Sequence, residues 1–122
     1  MKERVSIMSV SQLSKVQNEA LDNFVENFVE NFDIINALAD RNRQKIIVLL
    51  FGNLESGMTV TAITNNMIIT QPAVSHHLKI LRDSGIVAYR KDGLQSYYYL
   101  TLQEPLEKLE NISRNLRLEL EE

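Results

Sequence analysis

Apolar residues recur every three or four positions through the first third of the chain. Val10, Leu13, Val16, Ala20, Leu21, Phe24, Phe28 and Phe32 form the series, broken only by the adjacent pair Ala20–Leu21. A period near 3.6 predicts an amphipathic helix over residues 10–32. Phe24, Phe28 and Phe32 stand one above another in "NFVENFVENF", and Val25 and Val29 widen the stripe. Glycine and proline are both absent from residues 1–51, so no strong breaker interrupts it. Such a stripe needs a partner surface, which either the domain's own core or a second subunit can supply.

Asp40 can cap a second helix through "RNRQKIIVLLFG", with Ile46, Ile47, Leu49 and Leu50 inward and Gly52 ending it. "NLESG" reads as a loop. "TVTAITNNM" reads as a short helix of weak propensity, because its threonines and asparagines compete for backbone hydrogen bonds. Thr70 is a plausible N-cap for the next helix, and Pro72 lies in its first turn, where a missing N–H costs nothing. That helix runs to Asp83 or Ser84, with Gly85 as its left-handed stop. The period then changes to 2. "IVAYR" and "SYYYL" are β-branched and aromatic runs around "KDGLQ", whose Asp92-Gly93 favours a tight hairpin turn. Pro105 opens a last helix with Leu106, Leu109, Ile112, Leu116 and Leu120 on one stripe.

The order is helix, helix, short helix, helix, hairpin, helix. A lone two-stranded hairpin is barely stable, so it must lean on the helices. The expectation is a mainly α (α+β) fold, a winged helix-turn-helix with a two-stranded wing. Residues 1–122 then form a single domain. Its parts are an N-terminal helix (10–32), the helix-turn-helix (59–83), the wing (86–101) and a C-terminal helix (103–120).

Composition bounds this picture without changing it. A chain of 122 residues, 44% apolar and 24% charged, suits one globular domain with a modest core. No apolar run of about 18 residues occurs, so no membrane span is expected. "MKERVSIMSV" has no apolar signal core, and a cytoplasmic location is expected. Cysteine is absent, which excludes disulfides, thiolate metal sites and thiol redox sensing.

Charge is unevenly spread. The net charge is −3, yet residues 41–91 hold seven basic groups (Arg41, Arg43, Lys45, Lys79, Arg82, Arg90, Lys91) against Glu55 and Asp83. Each flanking segment is net negative. A positive middle fits a local phosphate-binding face; chance clustering on a solvated surface is the alternative.

Both histidines lie in "SHHLKIL". At roughly 100° per residue, Gln71, Pro72, Ser75, His76, Lys79, Arg82 and Asp83 of the helix 71–83 fall within about 140° of arc. Ala73, Val74, His77, Leu78, Ile80 and Leu81 take the other side. His76 and His77 thus point apart and do not form a chelate, which prefers spacings of three or four. His77 is expected to donate to a backbone carbonyl inside the core. Gln71, Ser75 and His76 are hydrogen-bonding groups at the helix start, followed by Lys79 and Arg82. In a helix-turn-helix this end of the second helix enters the major groove, where glutamine can read adenine bidentately.

"ALADRNRQKIIVLL", "TQPAVSHHLKILRDSGIV" and the wing ending "SYYYL" resemble the ArsR/SmtB family of bacterial winged helix-turn-helix transcriptional repressors, over about residues 34–118. The recognition-helix stretch is the specific part; the leucine-rich helices are not. The resemblance implies a homodimeric repressor that binds double-stranded DNA at an imperfect inverted repeat, dimerising through its first and last helices and releasing DNA when an inducer binds. It makes Thr70, Gln71, Ser75, His76, Lys79 and Arg82 the candidate DNA contacts, with Arg90 and Lys91 leading into the wing. It makes Phe24, Phe28, Phe32, Leu109, Ile112 and Leu116 the candidate dimer interface. Many members have arginine just after the wing-tip glycine; here Leu94 follows Gly93, so the tip is expected to touch only the DNA backbone.

The inducer is where the sequence departs most from the family. Metal-sensing members carry a cysteine pair before the recognition helix, or aspartate and histidine ligands on the last helix. "MTVTAITNN" has no cysteine and "TLQEPLEKLENISRNLRLELEE" no histidine. Glu104, Glu107 and Glu110 read as solvated, so no metal site and no cofactor are expected. A metabolite, acid or a protein antagonist remain as triggers. No glycine-rich phosphate loop, cysteine nucleophile or serine-histidine-acid set is present, so no enzyme is expected. The alternative from another class is a winged-helix protein–protein module, or an anti-repressor, that does not bind DNA.

Overall fold

A computed structural model describes residues 10–121. Eight elements follow in order: α1 (Val10–Glu30), α2 (Phe32–Leu38), α3 (Arg41–Phe51), α4 (Val60–Thr64), α5 (Gln71–Asp83), β1 (Val87–Asp92), β2 (Gln95–Leu100) and α6 (Gln103–Leu120). They fall into two compact units. One is residues 33–106; the other joins the chain through Phe32 to the chain from Glu107 onward. The side chains of Val10, Leu13, Val16 and Ala20, which open the expected stripe, lie outside the described residues.

The unit of residues 33–106 is a winged helix-turn-helix. Its core is Ala37 from α2, Ile46 and Leu50 from α3, Met58, Ile63 from α4, Val74, Leu78 and Leu81 from α5, and Ile86 and Val87 at the start of the wing. β1 and β2 pair antiparallel from Val87↔Leu100 to Asp92↔Gln95. The bare hairpin is tied down at its base, where Thr101 donates its N–H to the Ile86 carbonyl and its hydroxyl to the Gly85 carbonyl.

Four local features differ from the sequence expectation. Asn31 divides the first helix: its N–H bonds the Phe28 carbonyl three residues back, while its side-chain amide takes the Asn27 carbonyl four residues back. The side chain thus occupies the acceptor that would continue the α-helix, and α2 restarts at Phe32. Gly52 ends α3 without a left-handed turn, at φ −74°. The left-handed residue comes five positions later, at Gly57 (φ +67°), and it begins the short pairing of Met58 with Tyr98. The wing turn is Gly93-Leu94, one residue on from Asp92-Gly93. Positive φ at the first turn residue alone is the II′ pattern, so Asp92 joins the strand and Leu94 takes the exposed tip.

In the other unit, Phe24 and Phe28 are half-buried, with ring centroids 5.5 Å apart, and Phe28 lies 6.4 Å from the exposed Phe32. The outward row is Leu21, Val25, Val29 and Phe32, all exposed at spacings of four, four and three. From α6, Ile112 is buried, Leu109 half-buried and Leu116 exposed. Among the described residues, no helix is long and apolar enough to cross a membrane.

Candidate nucleic-acid interface

Two threonines start the two helices of the helix-turn-helix. Thr59 Oγ1 accepts from the Ala62 N–H at 3.1 Å, and Thr70 Oγ1 from the Ala73 N–H at 3.4 Å. Each removes one unpaired donor from a helix start. Pro72 sits in the first turn of α5, as the sequence predicts. At its other end, Gly85 (φ +83°) lets its N–H reach the Arg82 carbonyl and the Ile86 N–H reach the Leu81 carbonyl. That pair of hydrogen bonds is a Schellman closure, and it drops Ile86 into the core beside Leu81.

With both ends fixed, α5 sorts its side chains by face. Val74, Leu78 and Leu81 are buried. Gln71, Pro72, Ser75, His76, Lys79, Arg82 and Asp83 are all exposed, as is Thr70. The wet arc expected from the helical wheel is therefore the exposed arc of the structure. Gln71, Ser75 and His76 follow the N-cap within six residues, and their side chains make no hydrogen bond among the described residues.

The cations are less uniform. Lys79 pairs with Asp83 at 3.1 Å, but both are well exposed. Such a pair contributes at most about 1 kcal/mol, too little to withhold the ammonium from a phosphate. Arg82 lies over the Tyr89 ring at 5.5 Å. Arg90 donates to the Ser56 carbonyl at 2.7 Å and lies over Tyr97 at 5.5 Å, tying the wing to the loop before α4. Lys91 is exposed further along the wing.

Arg43 is the residue that charge counting misplaces. It is 8% exposed and takes no part in a positive surface. Its Nε donates to the Ala37 carbonyl at 2.9 Å and its Nη2 to the Asn36 carbonyl at 3.1 Å, closing the end of α2. Its Nη1 lies 3.1 Å from His77 Nδ1. A guanidinium has no acceptor, so Nδ1 accepts, the ring is neutral and its proton is on Nε2. This corrects the expectation that His77 donates to a backbone carbonyl: the nearest strong donor is a buried cation, and the ring turns its lone pair to it. Burial pushes the His77 imidazole below its ordinary value, aided by the Arg43 and His76 charges and opposed by Asp40. Asp40 caps α3, its Oδ1 accepting the N–H groups of Asn42 at 2.8 Å and Arg43 at 3.1 Å. The Arg43 N–H, foremost, holds the Asp40 carboxyl below the usual carboxylate range.

The spacing could have revealed Arg43. It occupies the first position of the row 43, 46, 47, 50, the inward stripe of α3. His76 and His77 have ring centroids 6.0 Å apart, one exposed and one turned inward. Glu104, Glu107 and Glu110 are all exposed. Among the described residues, no three histidine, aspartate or glutamate side chains gather at one place.

This assembly of capped helices and wing has close counterparts. Residues 40–89 match the model for the bacterial regulatory protein arsR family. An uncharacterized HTH-type transcriptional regulator of Methanocaldococcus jannaschii is 40% identical over 68 residues, 56% of this chain and 74% of that protein. The transcriptional repressor SdpR of Bacillus subtilis is 34% identical over 68 residues, 56% of this chain and 72% of that protein. Among solved structures, HlyU from Vibrio cholerae matches with a TM-score of 0.57 at 27% identity, over 72% of this chain and 92% of that one.

Proposed function

The chain belongs to the ArsR family of bacterial transcriptional regulators, whose fold and family are not those of enzymes, and from that premise we propose that it is a cytoplasmic, homodimeric repressor whose α5 reads an imperfect inverted repeat in the major groove. The observation that carries the reading is the exposed arc of α5. Gln71, Ser75 and His76 offer short hydrogen-bonding groups at the helix start, the part that meets base edges in this motif. Thr70, Lys79 and Arg82 are the phosphate contacts beside them, and Lys91 carries the wing onto the backbone. Arg90, bound to Ser56, holds the wing at its angle more than it neutralises phosphate. Leu94 at the tip is apolar and offers no donor to the minor groove.

The dimer is assigned to the unit of the terminal helices. Leu21, Val25, Val29 and Phe32 form an apolar row that this unit leaves in water, and Leu116, Leu118 and Leu120 are exposed on α6. Ile112 of α6 is buried within the single chain. The trigger is assigned to something other than a thiolate-bound metal, since the chain has no cysteine.

The test is the triple substitution of Gln71, Ser75 and His76 to alanine, measured against the protein's own promoter fragment. All three side chains are exposed, so the fold should survive. Operator binding should be lost while the thermal unfolding midpoint stays unchanged. Wild-type affinity should fall with salt at a log–log slope of about −5, from roughly six phosphate contacts over two subunits. Unaltered promoter binding by the triple variant would place the DNA contact elsewhere than on α5, and a wild type that does not bind its promoter, or binds it with an affinity indifferent to salt, would favour a protein–protein module instead.

A further inference from the structure

Helix α3 carries a second polar face, apart from the exposed arc of α5. Arg41, Lys45 and Val48 stand in one row, at spacings of four and three. The turn joining α4 to α5 faces that row with Asn66, Met67 and Ile68. Between them lies a cleft of about 430 Å³, open to solvent on one side. Its aliphatic lining is Val48, Leu49, Met67 and Ile68. Its rim is polar, from Arg41, Gln44, Lys45 and Asn66.

Two properties of this cleft are unexplained by folding. Val48 is 70% exposed and Ile68 96%, so two large aliphatic groups flank one concavity in water. Single exposed aliphatics are ordinary; two across a cleft mark a surface that something apolar can cover. The polar rim is one-signed. Gln44 spends its amide on the Leu38 carbonyl and Asn66 on the Ala62 carbonyl. Arg41 and Lys45 have no ion pair or hydrogen-bonded partner for their charged ends among the described residues. Like charges four apart on a helix repel each other, and an anion between them relieves that repulsion.

The occupant must therefore bring one negative head and an apolar body. A DNA phosphate would match the cations but leave Val48 and Ile68 in water. The cleft volume falls within the span of small-molecule sites. We propose that this cleft binds an amphiphilic carboxylate of about ten carbons, its head between Arg41 and Lys45 and its chain along Val48, Leu49, Met67 and Ile68. The turn it touches leads directly into Thr70 and Gln71, so the ligand sits next to the start of the DNA-reading helix. The site itself rests on the cleft alone and does not depend on the DNA reading.

Straight-chain carboxylates of six, eight and ten carbons, kept below their micelle concentrations, are the probes. Calorimetry gives their affinities and amide chemical shifts give their place. Affinity should rise by about tenfold for each two carbons, since each buried methylene is worth roughly three- to fourfold. The amides of Val48, Met67 and Ile68 should shift. Decanol, which lacks the charge, should bind about tenfold more weakly. The double variant Arg41→Glu/Lys45→Glu should lose about tenfold, as should Ile68→Ser. Both change exposed positions, and acidic groups in the first turns of α3 suit its dipole, so unfolding midpoints should hold. The proposal is overturned if the carboxylates do not bind, if the double variant binds decanoate as well as wild type, or if the shifts fall instead on a second pocket, in the unit of the terminal helices and lined by Asn23, Phe24, Asn115 and Leu118. It is equally overturned if the double variant loses operator affinity while decanoate never binds, since Arg41 and Lys45 are then phosphate contacts.

Discussion

Arg43 and His77 stand thirty-four residues apart in sequence and share one hydrogen bond. Through it the recognition helix is tied to α3, and through the other two guanidinium bonds α3 is tied to the end of α2. Arg43→Ala would strand two carbonyls and one imidazole nitrogen, and a loss of about 3 kcal/mol is expected on chemical denaturation. The same bond sets a pH dependence. His77 is held neutral in the folded protein, with its titration shifted below the ordinary value. Above pH ~6.5, where the unfolded chain is also neutral, stability is complete; below it the unfolded chain takes up a proton that the folded one refuses. Stability should therefore fall between about pH 7 and 5.5. The lowered Asp40 acts in a separate window: its contribution is full above pH ~4 and fades as pH drops through its folded value. His77→Asn, whose carbonyl can accept from Arg43, should abolish the loss between pH 7 and 5.5; an identical decline in that variant would place the effect elsewhere. The wheel put His77 on the apolar face from sequence alone. Its partner Arg43 does not emerge from a count of positive residues, which does not distinguish a buried arginine from a phosphate-binding one, but the row 43, 46, 47, 50 of α3 places it inward.

Elements were more legible than the joints between them. The caps at Asp40 and Thr70, the stop at Gly85 and the two strands all follow from local chemistry: side-chain oxygens at helix starts, a left-handed glycine, β-branched and aromatic alternation. The break at Asn31 depends on an amide choosing a carbonyl four residues back, which no periodicity reveals. Gly57 depends on a strand forty residues away. A Cβ there would stand 2.7 Å from the Tyr98 carbonyl oxygen, whereas a Cβ on Gly93 would meet nothing within 4 Å. Both glycines have φ +67° and so share the same backbone strain on substitution. Gly93→Ala should cost about 1 kcal/mol. Gly57→Ala should cost at least about 2 kcal/mol and loosen the pairing of Met58 with Tyr98, readable as faster amide exchange at both positions. Equal costs for the two variants would mean that the close approach to Tyr98 contributes nothing.

At the scale of the whole molecule, a net charge of −3 coexists with a basic central segment, and only the distribution bears on the partner. With Arg43 inside, the basic surface of residues 41–91 consists of Arg41, Lys45, Lys79, Arg82, Arg90 and Lys91. The N-terminal stripe was legible as a stripe, but its period does not tell which edge of it turns inward. Phe24 and Phe28 turn partly inward, and the row left in water is Leu21, Val25, Val29 and Phe32. If that row joins two subunits, the double variant Val25→Glu/Val29→Glu should sediment as a monomer at micromolar concentration with its unfolding midpoint preserved. Its operator affinity should drop by at least a hundredfold, because each half-site then binds alone. A dimer that survives both charges would assign association to another surface.

Methylation protection of the operator tests the central claim most directly, because guanine N7 opens only to the major groove. Two protected patches should appear on one face of the duplex, centred about ten base pairs apart, and both should vanish with the triple alanine variant of Gln71, Ser75 and His76. Protection confined to the minor groove, or a pattern the triple variant leaves unchanged, would contradict the insertion of α5 into the major groove.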